Sequence, residues 1–364
     1  DLACCLVYPY SRGLFRQGCP GNPMKKKVLV VCLLLIVGVV LYSNTFRVPF
    51  TFDDYHSIVL NDKIHSWGDW SAIWSFSRAR FLTYLTFALN YHFGGLHVTG
   101  YHLVNLLIHL SASIVLFFFV LLLTGTAFEP ERSFLIAAVA SLIFLIHPLQ
   151  TQAVTYIVQR AASLATLCYL ATLWLYLKYR LSPERKRWLY YCLALLVAVA
   201  GMFTKEICFT LPLMILMVNL ISGKAWRRDC LPFLLTMAVV PALHLSGVKG
   251  AGLGEIGRLA EPSGTIGPLT YLFTQFRVLV SYLRLLLFPI KQNLDYDYPV
   301  YHSFLVPPVW GSFLLLAFLS GLGFYAYRKG QRFFSLAVAW FFVALAVESS
   351  IYPIADVIFE HRLY

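Results

Sequence analysis

Nine apolar stretches divided by short polar connections dominate this sequence, and they constrain the fold more than anything else in it. They cover residues 28–46, 101–124, 133–147, 156–177, 188–204, 207–222, 231–247, 309–327 and 333–350. Each approaches the roughly 17–25 residues needed to cross a bilayer core, the shorter ones with tilt or local thinning. The chain is 59% apolar and 13% charged, too little polar surface for a soluble domain of 364 residues. These stretches predict an all-α polytopic membrane protein, a bundle of about nine transmembrane helices.

The net charge of +12 fits the same reading. Lys and Arg gather at 25–27, 178–187 (KYRLSPERKR), 224–228 (KAWRR) and 328–332 (RKGQR), while 125–132 is mixed. Counting spans from a cytoplasmic N-terminus puts all of these on the cytoplasmic side, as basic residues require. No basic face interleaved with aromatics is present, so nucleic acid is not an expected partner. Of the eight cysteines, Cys32, Cys168, Cys192 and Cys208 lie in apolar stretches, and no C-x-x-C pair suggests a zinc site.

Two segments need separate treatment. Residues 1–23 match nothing that follows, and Met24 opens Met-Lys-Lys-Lys ahead of an apolar run, the pattern of a signal-anchor. Residues 1–23 are therefore expected to be an extension, with the membrane domain at 24–364. Residues 269–289 are apolar, but a span there would reverse the 328–332 cluster. Arg277 and Arg284, seven apart, share one helix face, so an interfacial helix at the outer surface is expected. The Gly-rich residues 246–268 before it read as an external loop.

By this topology the external side collects most of the polar groups that could do chemistry. Asp53 and Asp54 follow the first span; one suits a general base for an acceptor hydroxyl, and the second can orient a partner or bind a divalent cation. Their alternative role is helix capping. Lys205 beside Glu206 reads either as a phosphate contact or as a locally paired couple. Arg160, inside an apolar stretch, needs a partner, either a lipid-linked phosphate or backbone carbonyls. Asp295 and Asp297, alternating with Tyr296 and Tyr298, suit sugar or acceptor recognition, or an interfacial turn. His147 before Pro148 ends a span, and Glu360, His361 and Arg362 close the sequence. His92, His97, His102 and His109 do not share a helix face, and no metal site is expected of them.

Six blocks in order carry a family resemblance: FDDYHSIVLND, LTFALNYHFGGLHVTGYHLVNLLIHL, HPLQTQAVTYIVQRAASLA, FTKEICFTLPLMIL, FPIKQNLDYDYP and IADVIFEHRLY. Over residues 24–364 the chain resembles the transmembrane and tetratricopeptide-repeat (TMTC-type) O-mannosyltransferases and their bacterial relatives. The resemblance implies a GT-C-type fold, a polyprenyl- or dolichyl-phosphate sugar donor, and a protein hydroxyl acceptor outside the cytoplasm. It carries the acidic pair onto Asp53 and Asp54, the basic–acidic pair onto Lys205 and Glu206, and the arginine of its block onto Arg160. Gln152 stands where animal members often carry Glu. No 34-residue repeat occurs in the chain, and the short loops resemble bacterial members, which implies an inner membrane rather than endoplasmic reticulum. The sequence ends in a loop after a span, which reads as a chain that continues.

Together these readings predict inverting transfer of a hexose, mannose-like by the resemblance, from lipid phosphate to a protein hydroxyl. Asp53 or Asp54 would be the base; Arg160, Lys205, Arg277 and Arg284 would bind phosphate; Glu206, His147, Asp295, Asp297, Glu360 and Arg362 would support the acceptor side. No cofactor is expected beyond the lipid-phosphate donor as substrate and an optional divalent metal. A non-catalytic membrane anchor, transfer of a whole glycan and a transporter are the alternatives.

Overall fold

A computed structural model of the chain describes residues 23–222, 228–246, 266–350, 353–354 and 356–364. The expected extension, most of the 224–228 cluster and most of the 246–268 loop lie outside the described residues. Among those described, regular structure is helical throughout, with no strand.

Among the described residues, four helical segments are long and apolar enough to cross a membrane: Met24–Arg47, Val98–Thr124, Ile157–Leu181 and Pro307–Arg328. The principal helices are α1 (Pro23–Tyr42), α2 (Trp70–Phe76), α3 (Phe81–Gly94), α4 (Val98–Thr124), α5 (Pro130–Ile146), α6 (Gln150–Thr155), α7 (Arg160–Leu181) and α8 (Glu184–Met202). They continue as α9 (Leu211–Ile221), α10 (Leu231–Thr236), α11 (Val239–Ser246), α12 (Pro268–Leu287), α13 (Pro307–Arg328) and α14 (Arg332–Leu345). Every apolar stretch is thus helical, but several are shorter than the sequence pattern suggested. The stretch at 231–247 is broken between α10 and α11. Pro241 has no N–H to offer the Met237 carbonyl four residues back, and its ring crowds that carbonyl. The stretch at 333–350 stops as a helix at Leu345 and finishes in turns.

The bundle is organised about α4, which packs on α1, α5 and α7, while α7 packs in turn on α8. Small residues set the closest approaches. A Cβ on Gly38 would lie 2.4 Å from Leu110 Cδ2, and one on Gly323 would lie 2.9 Å from Val338 Cγ1. These glycines let α1 approach α4, and α13 approach α14, as small residues do in membrane bundles. Outward-facing apolar side chains such as Leu29, Ile36, Val40, Phe318 and Phe324 would be an aggregation liability in water. They suit hydrocarbon, and the chain is read as a membrane protein.

Candidate active site

The acidic pair lies in the connection after α1, where the backbone leaves the helix. Phe52 adopts φ +44°, a left-handed conformation unusual for a bulky residue. Bonds on either side hold that turn. Thr51 N–H donates to Asp54 Oδ2 at 3.1 Å, and Tyr55 N–H donates to the Phe52 carbonyl at 3.1 Å.

Asp53 and Asp54 have different surroundings. Asp54 is 1% exposed, and its Oδ1 accepts the Val158 N–H at 2.7 Å. Burial pushes its carboxyl up to about 6, against the N–H groups of Thr51 and Val158, with the charge of Asp53 adding to the rise. Asp53 is exposed, and its backbone N–H donates to Tyr156 Oη at 2.9 Å. Asp54 anchors the turn, and Asp53 presents a carboxylate to solvent beside it.

The strand of backbone that receives Asp54 is itself fixed from α4. Asn105 Nδ2 donates to the carbonyls of Val154 and Ile157, at 3.3 and 3.2 Å. Its Oδ1 accepts Arg160 Nε at 2.6 Å. Arg160 is fully buried; Nη1 donates to the carbonyl and hydroxyl of Thr86, and Nη2 to the Tyr101 carbonyl at 3.0 Å. Its guanidinium also lies over the Phe87 ring at 4.4 Å. Of the two partners expected for Arg160, carbonyls are the ones it meets. The side chain sits inside the packing between α3, α4 and α7, away from any surface a phosphate could reach.

A cluster of ions lies against the start of α3. Lys205 Nζ contacts Glu348 Oε1 at 2.8 Å, and Arg362 Nε lies 3.8 Å from Glu348 Oε2. Arg362 also donates to the carbonyls of Val357 and Asp356. Arg80 Nη2 meets Glu206 Oε2 at 3.4 Å. The Arg80 side chain is 42% exposed, whereas those of Lys205 and Arg362 are 5% and 3% exposed. Three cations therefore face two carboxylates. Burial, with the charges of Lys205, Arg362 and Arg80, drives the neighbouring His361 well below the usual histidine range, so it stays neutral.

Helix α3 joins this cluster to the acidic turn. Leu82 N–H donates to the Phe203 carbonyl at 2.9 Å, and Thr83 Oγ1 to the Thr204 carbonyl at 3.1 Å, which sets Lys205 beside it. One residue on, Tyr84 Oη donates to Ser57 Oγ at 3.4 Å, three residues after Asp54.

Glu360 is 2% exposed and acts as a latch for the segment after α12. It accepts Gln292 Nε2 at 2.7 Å and Asn293 N–H at 2.8 Å, together with the Tyr296 hydroxyl. Gln152 completes the clamp: Nε2 donates to the Leu294 carbonyl at 3.1 Å, and Oε1 accepts the His361 N–H at 2.6 Å. An amide does both without a titratable proton, whereas an ionised Glu could only accept. Asp295 and Asp297 are exposed on the clamped segment.

Three expected residues fall outside this assembly. His147 Nε2 donates to the Leu286 carbonyl at 3.2 Å and Nδ1 accepts the Leu149 N–H, so it staples the end of α5 to that of α12. Arg284 is exposed and donates to the Ile290 carbonyl, capping the turn after α12. Arg277 borders a shallow groove with Pro307 and Pro308 of α13. Sequence reasoning overlooked Arg80, Asn105, Tyr156 and Glu348. Glu348 did carry a signal, as a lone carboxylate at the end of an apolar stretch.

Comparison with known proteins adds the family. Protein O-mannosyl-transferase Tmtc2 of Drosophila melanogaster is 30% identical over 284 residues, 71% of this chain. Protein O-mannosyl-transferase TMTC3 of Mus musculus is 29% identical across 92% of the chain, and F38B6.6 of Caenorhabditis elegans is 26% identical across 73%. The chain belongs to the TMTC-type family of protein O-mannosyl-transferases. It spans 29%, 40% and 38% of the lengths of these three TMTC relatives, in that order. No family model matches the chain, and no solved structure matches it. The alignment with the mouse TMTC protein covers 92% of the chain.

Proposed function

We propose that this chain is the membrane part of an inverting O-mannosyltransferase of GT-C type, with about nine spans. It would move a hexose from a polyprenyl or dolichyl phosphate to a hydroxyl of an extracytoplasmic protein. The observation that carries this reading is the assembly on α3. Ser57, three residues after Asp54, and Thr204, next to Lys205 in a cluster with excess positive charge, are bonded to consecutive residues of one helix, Tyr84 and Thr83. A base for the acceptor and a counter-charge for a leaving phosphate are the two groups such a transfer needs.

In the step proposed, the Asp53 carboxylate takes the proton of the acceptor hydroxyl as its oxygen attacks the anomeric carbon. The bond from that carbon to the phosphate oxygen breaks, and the electron pair leaves with the phosphate through an oxocarbenium-like state. Asp54 holds the turn that aims Asp53. Arg80, the most exposed cation of the cluster, meets the phosphate first, with Lys205 and Arg362 behind it as buried charge. Arg277 and Arg284 have a lesser part, guiding the lipid phosphate along α12 at the membrane surface. Asp295 and Asp297, on the clamped segment, face the acceptor side. Arg160 supports the platform under Asp54. The orientation that fits is a cytoplasmic N-terminus with the site outside, in a bacterial inner membrane or, in a eukaryote, the endoplasmic reticulum.

The test is transfer by the full-length protein in detergent, with polyprenyl-phosphate hexose and extracytoplasmic acceptor proteins, read by intact mass. A hexose-sized gain in wild type that is lost in Asp53→Asn and in Arg80→Gln supports the reading. An equal gain in all three overturns it.

A further inference from the structure

The end of the bundle remote from the carboxylates holds a second candidate site. The 27 residues of α4 run from the Tyr101 region beside Arg160 to Thr124, a rise of about 40 Å. Just past that end lies a cavity of about 630 Å³. Its sides come from the α4–α5 connection, the end of α9 and the tight turn between α13 and α14, where Gly330 takes φ +80°.

The cavity combines apolar walls with a cationic border. Phe128 stacks on Phe333 with centroids 5.1 Å apart, and Ile221 and Phe334 extend the apolar lining. Arg132, exposed in the first turn of α5, lies next to the lining with its guanidinium 4.6 Å from the Phe128 centroid. Arg332, exposed on the other border, gives Nη1 to the Ile221 carbonyl at 3.3 Å. Arg328 and Lys329 are exposed on the same turn, while Glu129 occupies the N-cap position of α5 and Glu131 lies in its first turn. Basic residues outnumber acidic ones around the opening.

Depth identifies the occupant. Two of the four candidate spans, Val98–Thr124 and Pro307–Arg328, end at this cavity. It therefore lies where hydrocarbon gives way to headgroups. Guanidinium forks match phosphate oxygens, and basic side chains at this level attract anionic lipid. A soluble anion would have no use for the Phe128–Phe333 wall, and a neutral lipid none for two arginines. We infer that this cavity binds one anionic phospholipid, its phosphodiester between Arg132 and Arg332 and an acyl chain along Phe128 and Phe333.

The experiment is native mass spectrometry of the full-length protein released from phosphatidylcholine nanodiscs doped with phosphatidylglycerol. Wild type is expected to retain one phosphatidylglycerol in preference to phosphatidylcholine. The Arg132→Gln/Arg332→Gln variant should lose that preference by about tenfold, the size of one charged contact. Arg332 also caps α9, so Arg132→Gln alone, which leaves that cap intact, provides the test if the double variant fails to fold. Equal retention of the two lipids by wild type, undiminished retention by folded Arg132→Gln, or displacement of the lipid by inorganic phosphate alone would each overturn the inference.

Discussion

The carboxylate of Asp54 and the backbone of Val158 are 104 residues apart in sequence and 2.7 Å apart in space. That bond, with the one from Thr51, makes Asp54 a structural anchor and leaves Asp53 the accessible member of the pair. The two aspartates should therefore behave differently when changed. Asp53→Asn is expected to lower transfer by about a hundredfold or more, the contribution of a general base, with the thermal midpoint unchanged. Asp54→Asn should instead cost about 1–3 kcal/mol of stability, because one amide oxygen cannot replace both acceptors. Thermal unfolding and initial rates measured on the same preparations separate these outcomes.

The raised carboxyl of Asp54 gives a pH dependence with a definite sign. Its value of about 6 lies above the ordinary carboxylate range, so between about pH 4 and 6 the folded chain holds a proton that the unfolded chain releases. The stability due to this group is complete below that window and declines as pH rises through it. His361 works in the opposite sense. Held well below its usual value, it favours the folded state above about pH 6.5 and loses that contribution as pH falls. Midpoints recorded from pH 4 to 8 should show the first slope removed in Asp54→Asn and the second in His361→Gln.

Arg160 is expected to be intolerant of substitution for reasons of packing. Arg160→Met leaves the buried Asn105 Oδ1 without its donor and removes the second hydrogen bonds to the helical carbonyls of Thr86 and Tyr101. Unmade buried hydrogen bonds of this number should cost about 3–5 kcal/mol. Arg160→Lys should recover little, since an ammonium cannot span the same fork of acceptors. Donor affinity of whatever fraction folds should stay near wild type, which a binding measurement on the monodisperse peak would check.

Lys205, Glu348 and Arg362 should be energetically coupled. Glu348→Gln leaves two buried cations without their shared carboxylate, and Lys205→Met leaves Glu348 with only the longer contact to Arg362. Each single change should be more harmful than the pair, with a coupling of about 1–3 kcal/mol in a double-mutant cycle on unfolding. Additive effects would separate the two side chains.

Glu360 should control access to the segment after α12. Glu360→Ala removes the acceptor for Gln292, Asn293 and the Tyr296 hydroxyl together. Limited proteolysis is expected to cut near residues 290–298 in this variant and to spare wild type, because loop openings track the loss of such bonds.

The extent to which the site could be read from sequence follows from distance along the chain. Helices were legible because apolar runs are local, and the acidic turn stood out because Asp53 and Asp54 directly follow one. Arg160 was legible as a charge needing a partner, but its partner was not, since Asn105 lies in a different helix. Lys205 and Glu206, adjacent in sequence, looked like one couple. In space they part: Lys205 turns inward to Glu348 and Glu206 meets Arg80.

The sequence by itself determined that this is a helical membrane chain, where its apolar stretches fall, and which family it resembles. Those properties depend on hydrophobicity summed over neighbouring residues and on blocks in fixed order. Tertiary structure alone decided which aspartate is buried, that Arg160 faces carbonyls, and that α3 is bonded both to Ser57 after the acidic turn and to Thr204 beside Lys205. Hydrogen bonds and ion pairs act over about 3–4 Å, and only folding brings residues from opposite ends of the chain that close.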